Sequence, residues 1–202
     1  MKTILCIGDS ITDCGRLFDF PPLGNGYVSL LASHFRERSS EIRFINKGVD
    51  GFTVLRLLER AASEYLHSEP DLVTILIGIN DVAMIMDAHG SPRFVEKQLD
   101  RFEENYRHLL SVFREERIPF LVMEPFLFDE PWEMRTWQSL RMRMSDRIRS
   151  LAEEAGCPFV ALQEPLMAAG PASALTIDGV HLTGKGHAVL TSQLLPVING
   201  ML

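Results

Sequence analysis

The chain is poor in the features that mark secreted, membrane-spanning or nucleic-acid-binding proteins. It has only three cysteines, Cys6, Cys14 and Cys157, an odd number with no paired spacing. That argues against a disulfide framework and fits a reducing cytoplasm. No stretch approaches the ~18 consecutive apolar residues of a membrane span. The apolar run after Met1-Lys2-Thr3 is too short for the core of a secretory leader, and no small-residue cleavage site follows it. A cytoplasmic location with no membrane partner is therefore expected. Lys and Arg number 20 against 27 Asp and Glu, a net charge of −7, and no basic run reverses the sign locally. A nucleic-acid partner is not expected from that balance. There is no His-x-x-x-His pair and no Gly-x-x-x-x-Gly-Lys-Ser/Thr loop. Gly24-x-Gly26 lacks the third glycine of a dinucleotide fingerprint and does not directly follow a strand. Neither a metal nor a cofactor is expected.

What the chain does have is alternation. Hydrophobic residues make up 46% of it, enough for one domain over residues 1–202 with a sizeable core. Near-continuous apolar runs at Thr3–Ile7, Ile42–Asn46, Leu72–Ile77, Phe120–Glu124 and Phe159–Leu162 read as strands buried on both faces. Between them, helical periodicity covers Tyr27–Arg38, Val54–Leu66, Arg93–Arg117, Glu133–Ala155 and Gly184–Ile198. In the third of these, Val95, Leu99, Phe102, Tyr106, Leu109 and Phe113 recur at intervals of three and four, giving one apolar stripe to lay on a sheet. Thr53 is placed to cap the second helix, and Gly156 to end the fourth in a left-handed turn. The pattern predicts an α/β fold: a three-layer α/β/α sandwich around a five-stranded parallel sheet with right-handed crossovers.

In such folds ligands bind beyond the carboxyl ends of the strands. The chemistry-bearing residues collect there. Gly8-Asp9-Ser10 follows the first strand, Asn46-Lys47-Gly48 ends the second, and Gly78-Ile79-Asn80-Asp81 follows the third. Glu124-Pro125-Phe126 follows the fourth, and Asp178-Gly179-Val180-His181 lies between the fifth strand and the last helix. Each fragment alone is also an ordinary turn. Together they put a serine, a histidine and an aspartate at one edge, the set required for nucleophilic acyl transfer. His187 is a rival base, whereas His34, His67, His89 and His108 fall on helix surfaces or in a loop. Cys6 reads as a core residue and Cys14 as loop packing near the site.

On four ordered blocks, Gly8–Asp13, Asn46–Gly51, Gly78–Asp81 and Asp178–His181, the chain resembles the SGNH or GDSL family of serine esterases, with Ile11 where the family name has leucine. The segments Gly8 to Arg16, Gly24 to Val28, Ile77 to Val82 and Met123 to Phe126 look most like the bacterial acetylxylan esterases within it. The resemblance implies a flavodoxin-like SGNH-hydrolase fold. It also implies a catalytic triad of Ser10, Asp178 and His181. Oxyanion donors would be the backbone N–H groups of Ser10 and Gly48 and the side-chain amide of Asn80. Asp9, Asp13 and Asp81 read as loop-holding residues.

The partner expected is a small-molecule ester. Aromatic and charged residues mix over Phe126–Trp137, which suits a sugar ring as well as it suits an interface or core. Phe126, Trp132 and Trp137, with Asp9 beside the serine, form the candidate substrate-contacting set. The reading is an O-deacetylase of acetylated xylo-oligosaccharides or similar carbohydrates. The alternatives are a lysophospholipase- or thioesterase-like acyl hydrolase and, of another class, a non-catalytic flavodoxin-like binding module. A homo-oligomer is compatible with all three. If His181 is the base, His181→Ala lowers ester turnover by about 10³-fold or more, and His187→Ala has a far smaller effect. The reverse ranking in a p-nitrophenyl acetate assay would move the base to His187.

Overall fold

A computed structural model of the protein describes residues 1–18, 20–38 and 41–202. Five parallel strands form one sheet in the order β2-β1-β3-β4-β5. They are β1 (Lys2–Gly8), β2 (Ile42–Asn46), β3 (Leu72–Leu76), β4 (Phe120–Met123) and β5 (Phe159–Val160). The expected strands stand in these places, with β5 ending two residues sooner. Strands β1, β3 and β4 are buried almost throughout, which is why their sequences read as unbroken apolar runs.

The helices pack in two layers. Helices α2 (Tyr27–Arg38) and α9 (Gly184–Met201) pack together, with α7 (Gln163–Ala169) and α8 (Ala172–Leu175) against α9. Helices α3 (Val54–Arg60), α4 (Ile79–Asp87), α5 (Pro92–Glu115) and α6 (Gln138–Ala155) form the second layer. The apolar stripe of α5 is buried at Leu99, Phe102, Tyr106, Leu109 and Phe113. Ser91 caps it by accepting from the Phe94 N–H at 3.3 Å.

Several local expectations are corrected. The Val54–Leu66 helix is α-helical only to Arg60 and then widens into a π turn over Ala61–Tyr65. Thr53 occupies the cap position without capping; the Val54 N–H donates instead to Asp81 Oδ2 at 3.1 Å. Residues 132–137 form a 3₁₀ turn before α6. Gly156 does end α6, in the left-handed region at φ 68°. Two segments read as turns are helical: α1 (Ser10–Asp13), capped by Asp9, and α4, which buries Ile79, Val82 and Ile85 three residues apart. Both are too short for periodicity to separate them from a loop.

The strand order places the topological switch between β1 and β3, where crossovers leave in opposite directions and open a crevice. Ser10 follows β1 and Asn80 follows β3, so they flank it. The core supplies a test of packing. The Tyr27 hydroxyl bonds the Thr12 hydroxyl at 3.0 Å, whereas the buried Tyr106 hydroxyl has no hydrogen-bond partner among the described residues. Urea unfolding should find Tyr27→Phe destabilised by about 1 kcal/mol and Tyr106→Phe unchanged or more stable, because only the first loses a bond.

Candidate active site

Asp9 closes β1 and turns the chain into α1, its Oδ1 accepting from the Ile11 N–H at 3.0 Å. Ser10 is the first residue of that one-turn helix, so its N–H has no intrahelical acceptor. At the far end of the sequence, an antiparallel bridge between Thr176 and Leu182 closes a tight loop. The Ile177 N–H donates to His181 O at 2.8 Å, and the Gly179 N–H donates to Thr176 Oγ1 at 3.1 Å. Asp178 Oδ1 accepts from the N–H groups of Val180 and His181 at 3.0 and 2.8 Å. Its other oxygen, Oδ2, lies 2.6 Å from His181 Nδ1. His181 Nε2 lies 2.8 Å from Ser10 Oγ.

The tautomer follows from the partners. An ionised carboxylate only accepts, so Nδ1 carries the hydrogen and Nε2 is left to accept from the serine hydroxyl. Burial raises the Asp178 carboxyl, but the His181 ring and the two backbone N–H groups outweigh it and hold the carboxyl below its ordinary value. The side chains of His181 and Asp178 are 46% and 48% exposed, so the pair is open to a ligand. Such a chain can take a proton from Ser10 and stabilise the resulting imidazolium.

His187 is held elsewhere. Its Nδ1 accepts from the Tyr27 N–H at 3.2 Å, and its Nε2 faces Cys14 Sγ at 3.4 Å. Burial pushes it down to about 4.

The three groups expected to face an oxyanion differ in their present partners. Asn80 Nδ2 donates one hydrogen to Phe52 O at 2.9 Å, which orients the amide and leaves its second hydrogen. The Gly48 N–H is already engaged, donating to Asn46 Oδ1 at 2.9 Å. Glycine at 48 also answers a different need, since a Cβ there would lie 2.2 Å from the Asp13 nitrogen. The Ser10 N–H, at the start of α1, and one Asn80 hydrogen have no acceptor among the described residues.

The substrate-contacting set also divides. Phe126 is fully buried and Asp9 is 1% exposed, so neither offers its side chain to a ligand. The Phe126 ring is drawn into the core, and burial pushes the Asp9 carboxyl up to about 7. Trp132 is exposed and Trp137 is partly buried against the core. The segment 126–131 nevertheless reaches the triad loop through its backbone. The Phe128 N–H donates to Gly179 O at 2.9 Å. Gly179 sits at φ 94°, and a Cβ there would lie 2.2 Å from Glu130 O.

Residues that the sequence reading did not assign hold that segment. Gln163 grips both backbone groups of Leu127, accepting its N–H and donating to its carbonyl, each at 2.9 Å. Gln138 donates to Leu127 O at 2.8 Å and to Asp129 Oδ1 at 2.9 Å. Buried Glu124 accepts from Ser145, Arg141 and the N–H groups of Leu162 and Gln163. A glutamate ending an apolar strand was the one visible signal.

The family model for the GDSL-like lipase/acylhydrolase family matches residues 6–189. The chain belongs to that family. It is 35% identical to an acetylxylan esterase of Geobacillus stearothermophilus, over 96% of this chain and 92% of the relative. It is 29% identical to an isoamyl acetate-hydrolyzing esterase of Saccharomyces cerevisiae, over 98% and 86%. The crystal structure of an acetylxylan esterase from G. stearothermophilus superposes with a TM-score of 0.81 at 30% identity, over 98% and 94% of the two chains. Catalytic variants of that esterase replace a serine, an aspartate and a histidine, the aspartate standing three positions before the histidine. Asp178 and His181 have the same spacing. This GDSL hydrolase is a carboxylic ester hydrolase, and the reading as a non-catalytic module is set aside. Among the described residues no cluster of His, Cys, Asp and Glu could hold a metal ion, and no helix is long and apolar enough to cross a membrane.

The His187 environment makes a pH prediction. The unfolded imidazole binds its proton near 6.5, the folded one near 4. Between these values the unfolded state holds more protons, so stability falls as pH drops through that window. The loss is on the order of 3 kcal/mol. His187→Gln keeps an acceptor for Tyr27 and removes the titration. Urea unfolding at pH 7 and pH 4 should show a smaller acid loss in the variant; equal losses would contradict the assignment.

Proposed function

We propose that the protein is an O-deacetylase of acetylated xylo-oligosaccharides or similar small carbohydrates, with Ser10, His181 and Asp178 as its catalytic triad. The observation that carries the triad is the unbroken hydrogen-bond chain from Ser10 Oγ through His181 to Asp178 at the exposed carboxyl edge. The acetyl preference is supported by the two named relatives, which share an acetyl group and differ in the alcohol.

In this reading Ser10 Oγ attacks the ester carbonyl while His181 Nε2 takes its proton. The Ser10 N–H and the free Asn80 hydrogen bond the oxyanion, each preorganised by its own element. Losing one such donor typically costs about 3–4 kcal/mol of barrier. Collapse breaks the bond to the alcohol, which leaves with the proton from His181, and the acetyl group stays on Ser10 Oγ as an ester. Water, activated by the same imidazole, then releases acetate. Asp178 keeps the ring oriented and stabilises its charged form throughout.

The decisive assay is p-nitrophenyl ester hydrolysis by wild type and Ser10→Ala, with circular dichroism to confirm folding of both. Ser10→Ala should lose about 10³-fold or more of kcat, and a fluorophosphonate probe should label only wild type. Wild type should favour acetate over octanoate and should deacetylate xylobiose acetates. Preference for octanoate would replace the deacetylase reading with the lysophospholipase- or thioesterase-like one.

A further inference from the structure

Helix α5 presents two unlike polar faces. On the side of α6, Asp100 and Glu103 pair with Arg147, Glu96 with Arg143, and Arg107 with Glu154. On the side of α3 and α4, Gln98, Arg101 and Asn105 have no hydrogen-bond or ion-pair partner among the described residues, and all three line one open groove of about 290 Å³. With Phe94 they recur at 94, 98, 101 and 105, a single helical face. Opposite them stand Met84, 65% exposed, and Asp81.

The groove is placed at the catalytic end of the sheet. A crossover helix runs antiparallel to the strands it joins, so the first half of α5 lies towards their carboxyl ends. Asp81 follows Asn80 directly. Thr53, also in the lining, follows Phe52, whose carbonyl orients the Asn80 amide.

We propose that this groove is a subsite for the alcohol portion of the ester, taking one neutral, polyhydroxylated sugar ring against Phe94 with Gln98, Arg101 and Asn105 bonding its hydroxyls. The proposal rests on the deacetylase reading and deepens it by naming where the sugar sits. A volume just below the ~300–1,000 Å³ of drug-sized ligand sites suits a single ring. An acyl chain fits the chemistry less well. Leu55, Met84, Ile85, Ala88 and Phe102 also line the groove, so hydrocarbon would find apolar contact there, but it would strip water from two amides and a guanidinium and return no hydrogen bond. A sugar ring offers its C–H face to the first group and its hydroxyls to the second.

The test is direct binding, read separately from turnover. Unacetylated xylotriose is titrated into the wild-type protein while NMR follows the side-chain resonances of Gln98, Arg101 and Asn105. They should shift saturably. The double variant Gln98→Ala/Asn105→Ala places a strong helix former at both positions, so folding is kept. It should bind xylotriose about 10-fold more weakly or worse while keeping the wild-type circular dichroism spectrum and urea midpoint. Unmoved resonances, or equal xylotriose affinity in the double variant, would overturn the subsite. Saturable shifts with octanoate but not xylotriose would overturn it in favour of a hydrocarbon site. If wild type binds xylotriose in the groove but fails to deacetylate xylobiose acetates, the deacetylase reading falls and the sugar site stands.

Discussion

One buried side-chain amide, that of Asn46, governs how the first two loops of the site meet. It ends β2, the edge strand, and its Nδ2 donates to Thr12 O at 2.6 Å and to Leu23 O at 2.8 Å. Its Oδ1 accepts the Gly48 N–H. Arg16 adds a bond from Nε to Gly48 O at 2.6 Å. The helix that carries Ser10, the loop beyond it and the turn after β2 thus share one anchor. Without Asn46, the Thr12 and Leu23 carbonyls and the Gly48 N–H would lose this partner, at about 1–3 kcal/mol for each one left buried. The position of the serine is set from behind by this anchor and from in front by His181.

The histidine has its own support, of a different kind. The chain after β4 has no regular structure, yet it is buried from Glu124 to Phe128, so its peptide groups need partners other than a ladder. Glutamines supply them, Gln163 acting towards Leu127 much as a neighbouring strand would. The segment then braces the triad loop through Phe128 and Gly179. Gly179, between Asp178 and His181, permits that approach, because any side chain there would meet the Glu130 carbonyl.

Three nearby carboxylates are sorted by environment. Asp178, open to solvent and bonded by three N–H donors, is held ionised. Asp9 and Asp81 are each pushed by burial to about 7, and each accepts through one oxygen from a backbone N–H at a helix start. Groups of one chemical type thereby take different work, one as a charged partner to an imidazole and two as loop anchors.

Local sequence pattern is enough to set the three layers, the five strands and the edge at which Ser10, Asn80, Asp178 and His181 gather. Apolar runs and helical periods are local, and a parallel sheet sends every strand end to the same side. Tertiary contacts alone set His181 against Ser10 and His187 against Tyr27, spend the Gly48 N–H on Asn46, and withdraw Asp9 and Phe126 into the interior. Those outcomes depend on contacts between residues far apart in the chain: His181 lies 171 positions from Ser10, and His187 lies 160 from Tyr27. Which ring nitrogen or peptide N–H is left unspent is decided only when such distant groups compete for the same partners, and no local pattern records that competition.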